Sequence, residues 1–380
     1  MFNRLQKTII MSDFFRELLL ISVGVRCDFS STPTARNWAE LFRLAKKHAL
    51  LGVCFSGVQT VYDRHPELLS ELPPNLKMSW LGAAAMIQER NALMDSRCVE
   101  LQDRLSSDGI KSCILKGQGV ASCYGSLGEC RQSGDIDVFV DADRASSLRY
   151  LAEHGIDNNG WDYVHAHPLF FDDVEVELHY RLSVFRNPFR NRKFQNFVAE
   201  NKASLFEGLA ELSDGMSVTV PSDWMNLLYL LHHIYRHLFS EGIGLRQVMD
   251  YYFALKSVDL SDDDRLRLVS SVRDFGMEGF AGGLMWVLGD VFNLSESFMP
   301  WIPDENEGRF ILSEIMASGN FGHSDMRFGD YSGGKMQKFI HAFRRSLHLV
   351  TRYPGEACWT PFYYLWHFCW KRTVVILGKF

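Results

Sequence analysis

The sequence is short of the features that mark a secreted or membrane-spanning chain. Its eight cysteines include no Cys-x-x-Cys pair and follow no disulfide-like spacing, which suits a reducing compartment and excludes a disulfide-stapled scaffold. No uncharged apolar run reaches 18 residues, so no segment is expected to cross a bilayer as a helix. A signal-peptide pattern is missing as well, because Asp13, Arg16 and Glu17 interrupt the first apolar stretch and no small-residue cleavage site follows. Repeats and low-complexity tracts are absent. With 47% hydrophobic and 23% charged residues, the composition is that of a globular protein, and the cysteine usage and missing signal pattern lead to the expectation of a cytoplasmic one.

Net charge is modest too, at −6 over 380 residues, but it is unevenly spread. Residues 335–380 carry eight Lys/Arg against the single acid Glu356. A basic end suits nucleic acid or an anionic membrane surface, or else a solvated face docked on an acidic body. No base-reading motif accompanies it. Residues 357–370 contain no Asp, Glu, Lys or Arg, but Pro361 and polar groups interrupt them. This segment is expected to be buried or interfacial, with packing preferred over peripheral membrane contact through its aromatic residues, Lys371 and Arg372.

Hydrophobic spacing divides the chain into three regions: a helical stretch over 1–107, a mixed α/β core over 108–220 and a second helical stretch over 221–380. Trp38, Leu41, Phe42, Leu44, Ala45 and Ala49 recur at helical intervals, and Gly52 is placed to end that helix. A long helix follows over 75–106. Short strands are predicted at 112–115 and 135–140, with helices after each and a turn at 158–160. Two more strands fall at 163–171 and 174–180. This is an α+β pattern, a small mixed sheet with helices on one side. Ser222 is the expected N-cap of a helix lined by Trp224, Leu227, Leu228, Leu231, Tyr235 and Leu238, and another helix covers 245–255.

The chemistry concentrates in two strands. Asp135 and Asp137 are two apart, so in an extended chain both carboxylates share one face while Ile136, Val138 and Val140 take the other. Adjacent carboxylates repel unless a cation neutralises them, and Mg²⁺ accepts one or two such groups plus water and phosphate. In residues 173–180 the same alternation puts Glu175, Glu177 and His179 on one face. Three acids from neighbouring strands would hold two Mg²⁺ ions, about 3.5–4 Å apart, for an in-line phosphoryl displacement.

Leu115-Lys116-Gly117, Tyr124-Gly125, Arg131, Gly134-Asp135-Ile136-Asp137 and Glu177-Leu178-His179-Tyr180-Arg181 occur in that order. The helix over 38–52 lies upstream; His233, His237, residues 244–247 and Asp250 lie downstream. In these features the chain resembles the uncharacterised bacterial nucleotidyltransferases of the DNA polymerase beta superfamily, over roughly residues 15–260. The resemblance implies a nucleotidyltransferase core in which Asp135 and Asp137 bind catalytic Mg²⁺, with Mn²⁺ an alternative. Glu177 would bind one metal and help deprotonate the acceptor. It also points to Lys116, Gly117, Arg131, Ser133, Gly134 and His179 as the nucleotide-contacting set. The superfamily's glycine pair usually stands 9–13 residues before the acids; Gly117 is farther away, while Gly125-Ser126 fits the spacing but lacks an evident following helix. We favour Lys116-Gly117, where a glycine turn would let a triphosphate approach backbone N–H groups.

Individual residues keep two readings. Arg131 covers the triphosphate or is a surface arginine; His179 orients Glu177 or is a buried histidine bonded to a backbone carbonyl. His233 and His237 have zinc-like spacing but no evident third ligand, and a cavity wall is preferred, with Arg246 and Asp250 opposite. The four cations within 186–193 face an anionic acceptor or solvent. The expected activity is transfer of a nucleoside monophosphate from a nucleoside triphosphate to an unidentified acceptor, with pyrophosphate leaving. The alternatives are a non-catalytic nucleotide-binding or toxin–antitoxin-like module, and a glycosyltransferase using Asp-x-Asp. A haloacid-dehalogenase hydrolase is disfavoured because Val138-Phe139 replaces its small Gly/Thr pair.

Overall fold

The computed structural model describes residues 11–322, 325–329 and 334–376; the outer ends of the two helical regions, 1–10 and 377–380, lie outside them. Four helices open the chain: α1 (Asp13–Ser22), α2 (Ala35–Lys47), α3 (Leu51–Arg64) and α4 (Pro74–Ser107). Thr34 and Asn37 cap α2 reciprocally, each side chain accepting the other's backbone N–H. The hydrophobic spacing would carry α2 to Gly52, yet it ends at Lys47, and Ala49 turns the chain with a φ of 55°. Gly52 lies inside α3, where a Cβ would stand 2.2 Å from the Cys130 carbonyl oxygen. It is therefore a close-packing residue and not a terminator.

Next come β1 (Ser112–Leu115), the short α5 (Gly117–Ala121), a 3₁₀ stretch (Ser122–Cys130), β2 (Ile136–Val140) and α6 (Arg144–Glu153). Then follow β3 (Asn158–Trp161), β4 (His165–Pro168) and β5 (Val176–His179). The sheet order is β1-β2-β5-β4-β3, with β2 and β5 parallel and the other pairs antiparallel. Residues 158–160 form an edge strand where the sequence predicts a turn. The turn chemistry is still there: Asn158 Oδ1 accepts the N–H of Gly160, and also that of His167 across the strand pair.

Period-2 alternation sorts the strand residues. Ile136, Val138, Val140, Val174, Val176, Leu178 and Tyr180 join Met94, Cys98, Leu101 and Leu105 of α4 in one cluster. Cys113, Leu115 and Phe139 point the other way, into the large helical core. Both faces of this part of the sheet are covered, unlike the one-sided arrangement that the sequence suggests. In α6 the buried residues are Ser147, Tyr150 and Leu151.

The chain continues through α7 (Pro188–Glu200), the hairpin β6 (Gly208–Glu211) and β7 (Ser217–Val220), then α8 (Asp223–Phe239), α9 (Leu245–Ser257), α10 (Asp262–Asp274), α11 (Glu278–Phe292) and α12 (Glu305–Ser318). The spacing of α8 suggests one apolar face, but the helix is buried nearly all round. It forms the shared spine of the helical core. Arg186 is buried, donating to the Phe239 carbonyl and to Thr360 Oγ1, and residues 188–193 begin α7. Arg186 is thus withdrawn from solvent, whereas Arg192 and Lys193 stay exposed on the first turns of α7, with Lys193 paired to Asp274 at 3.1 Å.

The basic tail builds α13 (Lys335–Leu349), α14 (Pro354–Ala357) and α15 (Thr360–Ile376). Arg345 is fully buried, bonded to the Leu238 carbonyl at 2.7 Å and to Asp325 at 3.1 Å. Trp366 and Trp370 set their rings edge-on to Tyr163. Met336, Ile340, Leu347, Phe362, Leu365 and Ile376 stay exposed on the outer side. Among the described residues no helix is long and apolar enough to cross a membrane.

Candidate active site

The pairing of β2 with β5 creates the site. Asp137 and Glu177 are register partners on adjacent parallel strands, so their side chains leave the sheet on the same face. Asp135, two residues before Asp137, joins them. One carboxylate oxygen from each of the three lies within 4.8 Å of the others. They open into a cavity of about 520 Å³ bounded by the sheet, α8, α9 and Phe321.

Two cations already lean on these acids. Lys116 Nζ is 2.9 Å from Asp137 Oδ1. Its backbone has a φ of 51° and a ψ of −144°, and Gly117 follows at a φ of 42°. That turn from β1 into α5 is uncommon for a residue with a Cβ, and it aims the ammonium across the sheet at the acids. Burial would lower the Lys116 pKa, but Asp137 above all, followed by Tyr229, Glu177 and Asp135, raises it and keeps the group charged. His179 Nε2 lies 3.0 Å from Asp137 Oδ1 and 3.3 Å from Glu177 Oε2. Both partners are carboxylates, so Nε2 carries the proton. Burial opposes the imidazolium, yet the two carboxylates push its pKa up to about 9. His179 is thus bonded to both acids and not to a backbone carbonyl.

The acids respond unequally. Burial, reinforced by repulsion from Asp137, pushes Asp135 up to about 6. Glu177 is opposed by burial, but the His179 hydrogen bond and the charges of His165, His179 and Lys116 hold it well below the usual carboxylate range. A carboxylate cluster with one member pushed toward protonation has too little positive charge for all three to ionise freely. The donor set is all oxygen, which fits Mg²⁺ or Mn²⁺.

The remaining sequence-predicted residues divide. Gly117 and Gly134 line the cavity; Gly125-Ser126 does not. Ser133 donates to Gln118 Oε1 at 2.6 Å and accepts from Arg131. Arg131 is buried, with Nε and Nη2 at 2.7 and 2.9 Å from the two oxygens of Asp250, and Tyr124 donates to the same carboxylate at 2.7 Å. It is not a surface arginine, and its fork is already engaged by a carboxylate where the sequence suggests a triphosphate. Gly117, Arg131 and Asp250 all reach the cavity wall, as do His233, His237 and Arg246. His237 Nδ1 is 2.7 Å from Glu241 Oε2, and His233 and His237 belong to no metal-holding cluster among the described residues.

Sequence reasoning missed Asp162, His165, His167, Arg236, Glu241, Phe321 and Lys338, which also line the cavity. The His165-x-His167 alternation in a strand was the one available signal. The others come from helices and turns far away in sequence, which only packing brings here.

A family model described as "Uncharacterised nucleotidyltransferase" matches residues 34–293, a span that contains β1 to β5, all three acids and α8 to α11. The chain belongs to this nucleotidyltransferase family. Its membership assigns nucleotidyl transfer as the general class of activity. No curated protein matches the chain. Among solved structures, an antigenic nucleotidyltransferase-like protein from Paracoccidioides brasiliensis is similar at 14% identity, with a TM-score of 0.37, over 56% of this chain and 94% of that one.

Proposed function

We propose that the cavity binds a nucleoside triphosphate with Mg²⁺, or Mn²⁺ in its place, and transfers the nucleoside monophosphate to an acceptor while pyrophosphate leaves. The observation that carries this reading is the convergence of Asp135, Asp137 and Glu177 on a cavity whose wall also presents Lys116, Arg236, Arg246 and Lys338. Asp135, Asp137 and Glu177 would hold the divalent ions, which supply charge neutralisation at the triphosphate and activation of the acceptor oxygen. The cavity volume lies within the roughly 300–1,000 Å³ range of small-molecule sites.

The protein's own part is positioning and electrostatics. Gly117 leaves the strand-to-helix turn open for phosphate oxygens to approach backbone N–H groups. Lys116, on its strained backbone, stands between the acids and that turn, where its ammonium, now paired with Asp137, would also meet a phosphate. Glu177 stays ionised, which suits it to hold an ion; with its pKa held low it is a weak base, and it would take the acceptor's proton only where the bound ion has acidified that oxygen. The Arg131–Asp250–Tyr124 cluster keeps the loop before β2, and with it Asp135, in place.

The test supplies α-labelled forms of the four common triphosphates with Mg²⁺ and a cellular pool of small-molecule, RNA and protein acceptors. Metal-dependent label transfer with pyrophosphate release is expected, and it should vanish in Asp137→Asn. Nucleotide retained without turnover would make the protein a binding module. Unchanged pyrophosphate release by the variant would overturn the assignment of the acids.

A further inference from the structure

Glu177 has two oxygens, and they face different neighbours. Oε2 is 3.3 Å from His179 Nε2, on the side of Asp137, whereas Oε1 is 3.7 Å from His165 Nε2. His165 and His179 are register partners on antiparallel β4 and β5, and their ring centroids are 4.9 Å apart. One ligand atom each from His165, Glu177 and His179 falls within 4.8 Å of the other two.

Behind His165 stands a carboxylate. Asp162 Oδ1 lies 3.9 Å from His165 Nδ1 and is anchored by the backbone N–H groups of Val164 and His165 at 2.6 and 3.0 Å. At 3.9 Å this carboxylate makes no hydrogen bond to His165, but it stands beside the nitrogen that does not face Glu177, where a small approach would orient the ring as carboxylates orient metal-binding histidines. His167, two residues along the strand and so on the same face, sets its ring 4.8 Å from that of His165. The nitrogens that face Glu177 are the two Nε2 atoms, while the Nδ1 atoms of His165 and His179 are buried without hydrogen-bond partners, so no backbone carbonyl holds either ring by its other nitrogen. His165, His167 and Glu177 also border the cavity.

We propose that His165, Glu177 and His179 form a mixed nitrogen–oxygen site for a transition-metal ion of the Mn²⁺ or Zn²⁺ kind, adjoining the all-oxygen set and sharing Glu177 with it; the ion takes the place of the His179 Nε2 proton, which leaves to solvent as it binds. Imidazole donors favour such ions over Mg²⁺, which prefers oxygen. The role of the ion rests on the transferase reading: it fixes the Glu177 carboxylate and makes turnover respond to transition metals beyond the Mg²⁺ requirement. Binding itself does not depend on that reading.

The experiment titrates Co²⁺ into the metal-stripped full chain and follows visible ligand-field absorption; pulsed electron paramagnetic resonance of the Mn²⁺-loaded protein reports nitrogen coupling. Nitrogen coupling is expected in the wild type. His165→Gln should weaken Co²⁺ binding at least about tenfold and reduce that coupling, while Asp135→Asn leaves it in place. Oxygen-only coordination in the wild type, which requires no variant to fold, would overturn the site. So would a His165→Gln titration that superimposes on the wild type. Nitrogen coupling in a protein that transfers no nucleotide would keep this site and remove the transferase reading; oxygen-only binding in an active protein would do the reverse.

Discussion

Asp137 and Glu177 stand directly opposite one another on β2 and β5, the only parallel pair in the five-stranded sheet. Forty residues separate them in sequence, and one backbone register joins them. A slip of one residue would turn Glu177 into the apolar cluster beneath the sheet and bring Val176 or Leu178 to the cavity.

Removing Asp135 from the clustered acids should cost activity and raise stability. Asp135 is pushed up to about 6, by burial first and then by Asp137, so in the metal-free protein its ionisation opposes folding. The sign follows from linkage: a carboxyl raised in the folded state has its full stability below the unfolded pKa and loses it as pH rises toward 6. Asp135→Asn should abolish transfer yet stabilise the metal-free protein above pH 6 by about 3 kcal/mol. Chemical denaturation at pH 5 and pH 8 in chelator checks this, and a variant less stable at both would contradict it.

Lys116 sets backbone strain against charge. Lys116→Gly relieves a positive φ worth about 1–2 kcal/mol, but takes from buried Asp137 one of its two cationic partners and leaves His179 as the other, a loss toward the lower end of the roughly 3–5 kcal/mol for breaking a buried pair. Charge should win. In chelator the variant is expected to melt below wild type, and added Mg²⁺ should narrow the gap by supplying the missing positive charge. A gap that ignores Mg²⁺ would argue against a shared electrostatic role.

The Arg131–Asp250 pair predicts a large, activity-independent loss of stability. Asp250→Ala strands a buried guanidinium and the Tyr124 hydroxyl together, and should cost about 3–5 kcal/mol. Urea unfolding measures it. A loss under 1 kcal/mol would mean that water reaches Arg131.

Acid should loosen the tail from the body. Glu314 is opposed by burial, but the His348 hydrogen bond, Arg345 and Arg327 bring its pKa down to about 2, and Asp325 falls to about 2 by its bonds and charge contacts with Arg327 and Arg345. Depressed carboxylates contribute stability above their unfolded pKa that is lost as pH falls through the folded one. The loss should run from about pH 4.5 down to about 2 and reach roughly 3 kcal/mol for Glu314. Glu314→Gln should flatten this acid limb in a melting-temperature series, and an unchanged slope would rule out the residue as its source.

The pattern of residues along the chain was enough to determine the α+β character, the strand carrying Asp135 and Asp137, and the face shared by Glu177 and His179. Period-2 alternation is a local property of the backbone, and β-branched residues beside acids declare it without reference to the rest of the molecule. Gly52 and residues 158–160 were misleading for the same reason, since a glycine against a distant carbonyl and a turn folded into an edge strand have local signatures identical to a helix stop and a free turn. The partner of Arg131, the burial of Arg186 and the approach of His165 to Glu177 were decided only by tertiary packing. Each depends on which strand or helix lies beside which, and that choice is made by the summed burial of the whole core, not by any short stretch of residues.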